Sequence, residues 1–355
     1  MIDPHVHLRD WNQADKETVF HGLFVAAACG FELLFDMPNC NPPLTDRGVI
    51  ERRLGLAADA VERIKRETGR DIRYGLYAGL TSDEAQIREV VTAWDKLFPN
   101  VVGLKLFAGN STGDMGQVSE ERQRHIYHEL AKDGYTGVLA VHCEKESFLL
   151  PQREDPSDFS THSLARPIEA EVASVSDQIR FAEEEEFRGI LHICHLSTVE
   201  SLPLIERGRA DGLRITCGVT PHHLLLCSED ARNRCLYAKM NPPLRDEAHR
   251  AALFGALLDG RIDWVESDHA PHTLSEKEKG ACGIPGFSGS LTLLQSLYKA
   301  GIPEIRLRSL FGKRVLDVFG LPPQYITIPS YDECSERSEW AAMQYPYDSY
   351  RKYHS

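Results

Sequence analysis

No run of 18 or more apolar residues occurs in the 355-residue sequence, so no segment is long enough to cross a bilayer as a helix. The opening MIDPHVHLRD lacks both the basic stretch and the apolar core of a secretory signal, and a cytoplasmic location is expected. Cysteine occurs at only nine positions, and Cys143, Cys194 and Cys217 fall inside apolar runs where a thiol behaves as a small hydrophobe, so a disulfide framework is not expected. Positive charge is also scarce. Forty basic residues face 53 acidic ones for a formal charge of −13, which opposes binding to nucleic acid and to anionic membranes and requires any anionic substrate to be captured by local cations. Internal repeats and low-complexity tracts are absent. The acidic run Glu183 to Glu186 points its carboxylates in different directions on a helix and reads as a solvated face.

What is present is the balance of a globular enzyme-sized core, 42% hydrophobic and 26% charged. Short segments rich in Val, Ile and Leu alternate with longer segments of helical period, the pattern of βα units around a parallel sheet. Eight strands are predicted, at 1–7, 32–37, 72–79, 101–107, 137–143, 189–195, 213–219 and 262–268, and eight is the number that closes a (β/α)8 barrel. Between them, 120–133 places Ile126 and Leu130 on one helix face with Gly134 as its C-cap, and 253–258 reads as helical too. Past Phe319 the sequence is rich in Pro, Ser, Tyr and charge without a long period. The expectation is a catalytic barrel over 1–319 that starts at its first strand, and a tail over 320–355 that wraps it or is partly disordered.

Barrel enzymes do their chemistry at the C-terminal ends of the strands. There this sequence places His5 and His7 on strand one, Lys105 on strand four, His142 on strand five, His195 on strand six and Asp268 on strand eight. Residues i and i+2 of a strand share a face, so His5 and His7 can reach one ion. A His-x-His pair alone is weak; convergence with the later strand ends is what gives it weight. Lys105 sits among apolar neighbours in VVGLKLFAG, where a buried ammonium is costly and would repel a metal. As a neutral amine it can add carbon dioxide, and the carbamate is an anionic ligand able to bridge two ions. Asp268 beside a metal-activated water can take its proton and return it to a leaving nitrogen.

Together DPHVHLRD, MPNCNPP, GLKLF, HICHLS, VTPHHLLL, MNPPLRD and SDHAPHTLSEKEKG resemble the dihydroorotase branch of the amidohydrolase superfamily, from Ile2 to about Phe319. The resemblance implies two zinc ions per subunit, one held by His5, His7 and Asp268, the other by His142 and His195, with carboxylated Lys105 between them. It implies substrate contacts at Arg9, Asn39, Asn241 and His272 and at the backbone near Pro285 and Gly286. It also implies reversible cyclisation of N-carbamoyl-L-aspartate to L-dihydroorotate in pyrimidine biosynthesis, by zinc-hydroxide attack with Asp268 shuttling the proton. Arg9 has a physical case of its own, since a guanidinium fork grips a substrate carboxylate at two points. Arg9 in a loop also suits solvent, and Asn39 and His272 also suit turns.

Partners implied are the small-molecule substrate, a homo-oligomer, or association with aspartate transcarbamoylase. The sequence departs from many relatives in three places: no strands are evident for an accessory β-sandwich, the loop GNSTGDM differs, leaving Ser111 and Thr112 as suggestions only, and GFSGSLTLLQ lacks a glutamate common after the Gly-rich turn. One of His222 and His223 is expected to support a ligand by hydrogen bonding. His21, His125, His128, His162, His249 and His354 read as surface or packing residues. The competing readings are another cyclic amidohydrolase (hydantoinase, dihydropyrimidinase or allantoinase) and an inactive scaffold subunit.

Overall fold

The computed structural model describes residues 1–111, 113–233 and 237–354. Eight strands pair in sequence order, all in parallel: β1 (Ile2–Val6), β2 (Leu33–Asp36), β3 (Arg73–Gly79), β4 (Val101–Ala108), β5 (Val138–Cys143), β6 (Ile190–Ile193), β7 (Ile215–Val219) and β8 (Trp264–Val265). Each lies within a predicted segment or extends one residue past it. The last seam is made beyond the short β8, where Val6 bridges His269 and the His7 N–H donates to the His269 carbonyl at 2.8 Å. That closure sets His7 beside Asp268.

The strands are buried on both faces, which is why they read as apolar runs rather than alternating ones. One set of side chains, among them Leu34, Leu76, Leu104, Leu139 and Ile193, packs against the helices. The other, including Phe35, Tyr77, Ala140 and Trp264, meets inside the barrel and is joined by Val315, Leu316 and Phe319. In β1 the register shifts between Asp3 and Val6, so Ile2 joins that inner cluster while His5 lines the cavity above it.

The outer layer comprises α1 (Val19–Cys29), α2 (Arg47–Thr68), α3 (Glu84–Leu97), α4 (Glu120–Lys132), α5 (Ile168–Glu184), α6 (Leu202–Ala210), α7 (Glu247–Leu258) and α8 (Phe287–Lys299). Four of these eight have a side-chain cap at their start: Thr18, Asp46, Asp83 and Asp246 each accept a backbone N–H in the first turn. No described helix is long and apolar enough to cross a membrane.

The tail differs from the sequence reading of a segment without periodic structure. It contains α9 (Tyr331–Ala342), opened by a capping box between Ser330 and Glu333 and packed on α8 and α1. Its apolar stripe is thin, with Cys334, Ser338 and Ala341 its buried residues, so hydrophobic periodicity does not reveal it.

Candidate metal centre and substrate cavity

His5 and His7 converge on a single carboxylate oxygen. The His7 Nε2 lies 3.0 Å and the His5 Nε2 3.4 Å from Asp268 Oδ1, and the His7 Nδ1 lies 2.6 Å from Asn39 Oδ1. From the other side, His142 Nδ1 approaches His195 Nε2 at 3.2 Å, and the rings of His5 and His195 are 5.1 Å apart. Lys105 is fully buried, its Nζ 3.1 Å from Cys194 Sγ. His195 and Asp268 adopt left-handed backbone angles, φ 36° and 46°, which cost a non-glycine residue about 1–3 kcal/mol each. Buried carboxylates hold the strained turns: Glu266 accepts the His195 N–H at 2.6 Å, and Asp3 accepts the Ser267 N–H at 3.0 Å.

Both ring nitrogens of His5 and the Nδ1 of His195 are buried without a hydrogen-bond partner. Such orphaned atoms are expensive in a protein interior, and a metal ion is the partner that an imidazole lone pair accepts. Donor atoms of His5, His7 and Asp268 lie within 4.8 Å of one another, as do those of His5, Cys194 and His195. Nitrogen donors with a carboxylate suit zinc or a similar transition metal rather than calcium. The electrostatics of His7 and His195 favour ligation too. Burial pushes the His7 imidazole down to about 4 against the pull of Asp268, and burial with the field of His142 and His5 holds His195 well below its ordinary range, so both keep a free lone pair. Burial opposes the charge on Asp268, but the His7 hydrogen bond and the fields of His5 and His7 keep it ionised below the usual carboxylate range.

These groups line a narrow cavity of about 20 Å³ together with Arg9, Asn39, Ser111 and Asn241. Arg9 is 2% exposed, has φ 48°, and leaves its Nε and Nη1 without a partner. Burial lowers its pKa, opposed by Asp268 and Asp36. Its backbone is held from behind. Arg53 Nη1 donates to the Arg9 carbonyl at 2.9 Å, Arg53 pairs with Asp36 at 2.6 Å, and Asp36 accepts the Leu8 N–H at 2.9 Å. Asn241 Oδ1 is 2.8 Å from His162 Nε2.

His272, Pro285 and Gly286 are not among the residues lining this cavity. The His272 ring is engaged by the Cys282 carbonyl at 3.0 Å and by Glu276 at 3.3 Å, Pro285 is buried, and the Gly286 N–H donates to His269 Nδ1 at 3.0 Å. Thr112 lies outside the described residues. A wider cleft, of about 630 Å³, opens at the opposite ends of β6 and β7 among Arg209, Arg214, Arg306 and Arg314, away from the histidines.

Several supporting residues escaped the sequence reading. Glu266, beside its role at His195, bonds His192 Nε2 at 3.0 Å and the Trp264 indole N–H at 2.9 Å. Glu144 meets His142 Nε2 at 2.9 Å and receives two bonds from Arg166 at 2.9 and 2.6 Å. Each stands two residues from a candidate ligand, a spacing that could have disclosed it. His162, read from the sequence as a surface or packing residue, is buried between Asn241 and Glu154 and hydrogen-bonded to both. Of the adjacent pair, His223 is satisfied by Thr220 and the Pro242 carbonyl at 2.8 and 3.1 Å, whereas both ring nitrogens of buried His222 lack a partner.

No protein-family model matches the chain. Among solved structures, an L-hydantoinase (dihydropyrimidinase) from Arthrobacter aurescens superimposes with a TM-score of 0.79 at 24% identity, over 92% of this chain and 72% of that one, a likeness of fold. Among curated sequences, a dihydroorotase of Halobacterium salinarum is 34% identical over 331 residues, covering 90% of this chain and 71% of its own. A dihydroorotase of Lactiplantibacillus plantarum is 34% identical over 329 residues, with 90% and 72% covered. With that identity over most of both sequences, and an eight-stranded barrel carrying histidines and an aspartate at its strand ends, the chain belongs to the dihydroorotase family of cyclic amidohydrolases.

Proposed function

We propose that the chain interconverts N-carbamoyl-L-aspartate and L-dihydroorotate with two zinc ions, one held by His5, His7 and Asp268, the other by His142 and His195, and Lys105 as a carbamate between them. The observation that carries this reading is the cavity itself, where an unpartnered, buried Arg9 guanidinium faces the same space as the histidine cluster. When bound, the metal pair supplies an acidified water and a Lewis acid for the ring carbonyl. Arg9 and Asn39 bind the substrate carboxylate and thereby orient the ring over Asp268. Asp268, ionised and aimed at the same point as His5 and His7, accepts the proton of the attacking water and delivers it to the departing ring nitrogen. In the biosynthetic direction it removes a proton from the carbamoyl nitrogen as the ring closes. Asn241, steadied by His162, completes the substrate contacts at the cavity wall. The catalytic unit proposed is 1–319, with 320–355 as a docked tail.

Cyclisation of N-carbamoyl-L-aspartate by the zinc-loaded protein, compared with Asp268→Asn, tests the reading. Activity in the wild type and a loss on the order of 10²- to 10⁴-fold in the variant are expected. Turnover of dihydrouracil equal to that of dihydroorotate would assign the site to a neutral ring instead, and an undiminished variant would remove Asp268 from the proton path.

A further inference from the structure

Cys282 lines the same cavity, half-buried, on the loop between Gly280 and Gly283. Its Sγ lies 3.6 Å from His162 Nε2. His162 in turn has Glu154 Oε2 at 2.9 Å from its Nδ1 and Asn241 Oδ1 at 2.8 Å from its Nε2. With the Asn241 amide oxygen and the Glu154 carboxylate facing the ring, both ring nitrogens donate. Burial opposes the charge, but the charge and hydrogen bonds of Cys282 and Glu154 outweigh it and raise the imidazole to about 9, so it is a cation at neutral pH. A positive charge therefore sits against the sulfur. Lys239 pairs with the same Glu154 carboxylate. Beneath the loop, the buried Lys277 Nζ donates to the carbonyls of Lys239, Ala281 and Gly283 at 2.9, 2.7 and 2.8 Å, fixing the backbone on either side of Cys282. Arg166 adds its field from the facing segment, where Glu144 is its partner.

We propose that Cys282 is a thiolate modification site at the substrate cavity, reactive toward peroxides and soft alkylating agents, and that its modification closes the cavity. Cation-flanked, accessible thiols are the ones that react; apolar, buried ones are inert. Burial pushes Cys29, Cys40, Cys217 and Cys334 up to about 12, and Cys194 is only 2% exposed beneath the histidines. With a peroxide, the sulfur lone pair attacks one oxygen, the S–O bond forms as the O–O bond breaks, and the departing hydroxide takes the His162 proton to become water. The sulfur is oxidised by two electrons and the peroxide reduced by two. The product is a sulfenic acid and a neutral His162. The added oxygen occupies space beside Asn241, and His162 is left with a single N–H for Glu154 and Asn241. The loss of substrate access rests on the proposed reaction; the reactivity of the thiol does not.

Iodoacetamide labelling of the full-length zinc-loaded protein, followed by peptide mass spectrometry, tests the site. Cys282 is expected to react at least about tenfold faster than any other cysteine at pH 7. Burial works against its ionisation, but the charge and hydrogen bond of His162, with Lys239 and Lys277, bring the thiol down to about 7, so the labelling rate should have its midpoint there. His162→Gln should move that midpoint up by about a unit or more. In a second arm, hydrogen peroxide should remove dihydroorotase activity, dithiothreitol should restore it, and Cys282→Ser should keep its own starting activity under the same peroxide. Labelling led by Cys227 or another cysteine, a midpoint unmoved by His162→Gln, or peroxide loss in Cys282→Ser in step with wild type would each overturn the proposal. Labelling is read without substrate, so a chain inactive on dihydroorotate would sink the proposed reaction while the thiol site still stood or fell on its own data.

Discussion

The Nε2 of His142 lies 2.9 Å from Oε2 of Glu144, its neighbour but one. An imidazole nitrogen facing a carboxylate carries the proton, so Nδ1 of His142, 3.2 Å from His195 Nε2, is left with its lone pair toward the candidate metal position. Arg166, bonded to both Glu144 oxygens, keeps that carboxylate ionised against its own burial. Glu144→Gln removes the charge while preserving shape. It is expected to weaken zinc binding about 10- to 100-fold, measured by competition with a chelator. Unchanged affinity would show that His142 needs no such support.

Arg9 supplies the second expectation. Arg9 lines the cavity with its Nε and Nη1 buried and unpartnered, and the Arg53 to Asp36 pair fixes its backbone, so the guanidinium is ready for a two-point contact. Lysine keeps a charge but loses the fork. Arg9→Lys should raise KM for dihydroorotate about 10- to 100-fold, the worth of one or two charge-assisted hydrogen bonds, and leave the slow opening of a ring without a carboxylate unaltered. Equal losses on both substrates would make Arg9 a structural residue instead.

The parts of the fold and site that the sequence discloses are those with a local signature. Val, Ile and Leu runs mark all eight strands because a parallel sheet is buried on both faces, and His5, His7, His142, His195 and Asp268 stand out because polar residues at the ends of such runs are conspicuous. What stays hidden depends on distant pairing. His162 gains its meaning from Asn241, 79 residues away, and it lies in a stretch of short turns between β5 and α5 with no period to follow. Glu144 and Glu266 were hidden less deeply, since their i+2 relation to His142 and Asp268 uses the same logic as the His5 and His7 pair. The tail helix α9 carried a legible S-x-x-E capping box that a search for apolar period alone passes over.

Glu17 gives a pH dependence. It is 3% exposed and bonds His21 Nδ1 at 2.7 Å, the Tyr345 hydroxyl at 2.9 Å and His269 Nε2 at 3.4 Å. Burial opposes its charge, but the His21 and His269 bonds prevail and bring the carboxyl down to about 2 from 4.5. A carboxylate with a lowered folded pKa stabilises fully above its unfolded value and loses that contribution as pH falls toward the folded one. The shift corresponds to on the order of 3 kcal/mol, present above pH 4.5 and lost toward pH 2. Glu17→Gln should therefore be less stable than wild type at pH 7, and the gap in unfolding free energy should shrink by about half by pH 3. A gap constant between pH 7 and pH 3 would mean that Glu17 contributes shape rather than charge.

The docking of the tail can be tested at a single glycine. Gly289 lies in α8, and a Cβ built on it would overlap the ring of Tyr350, which is itself fully buried. The residues that follow α9 reach this point only because α8 presents no side chain there. Gly289→Ala improves intrinsic helix propensity by about 1 kcal/mol, so an undocked tail predicts a gain in stability. A docked tail predicts the opposite, a net loss of about 1–3 kcal/mol from overpacking, read as a lower unfolding midpoint. Tyr350→Leu in the same chain should recover part of that loss, because the two positions touch and their effects cannot add. Stabilisation by Gly289→Ala alone would show that Tyr350 does not occupy the α8 surface in solution.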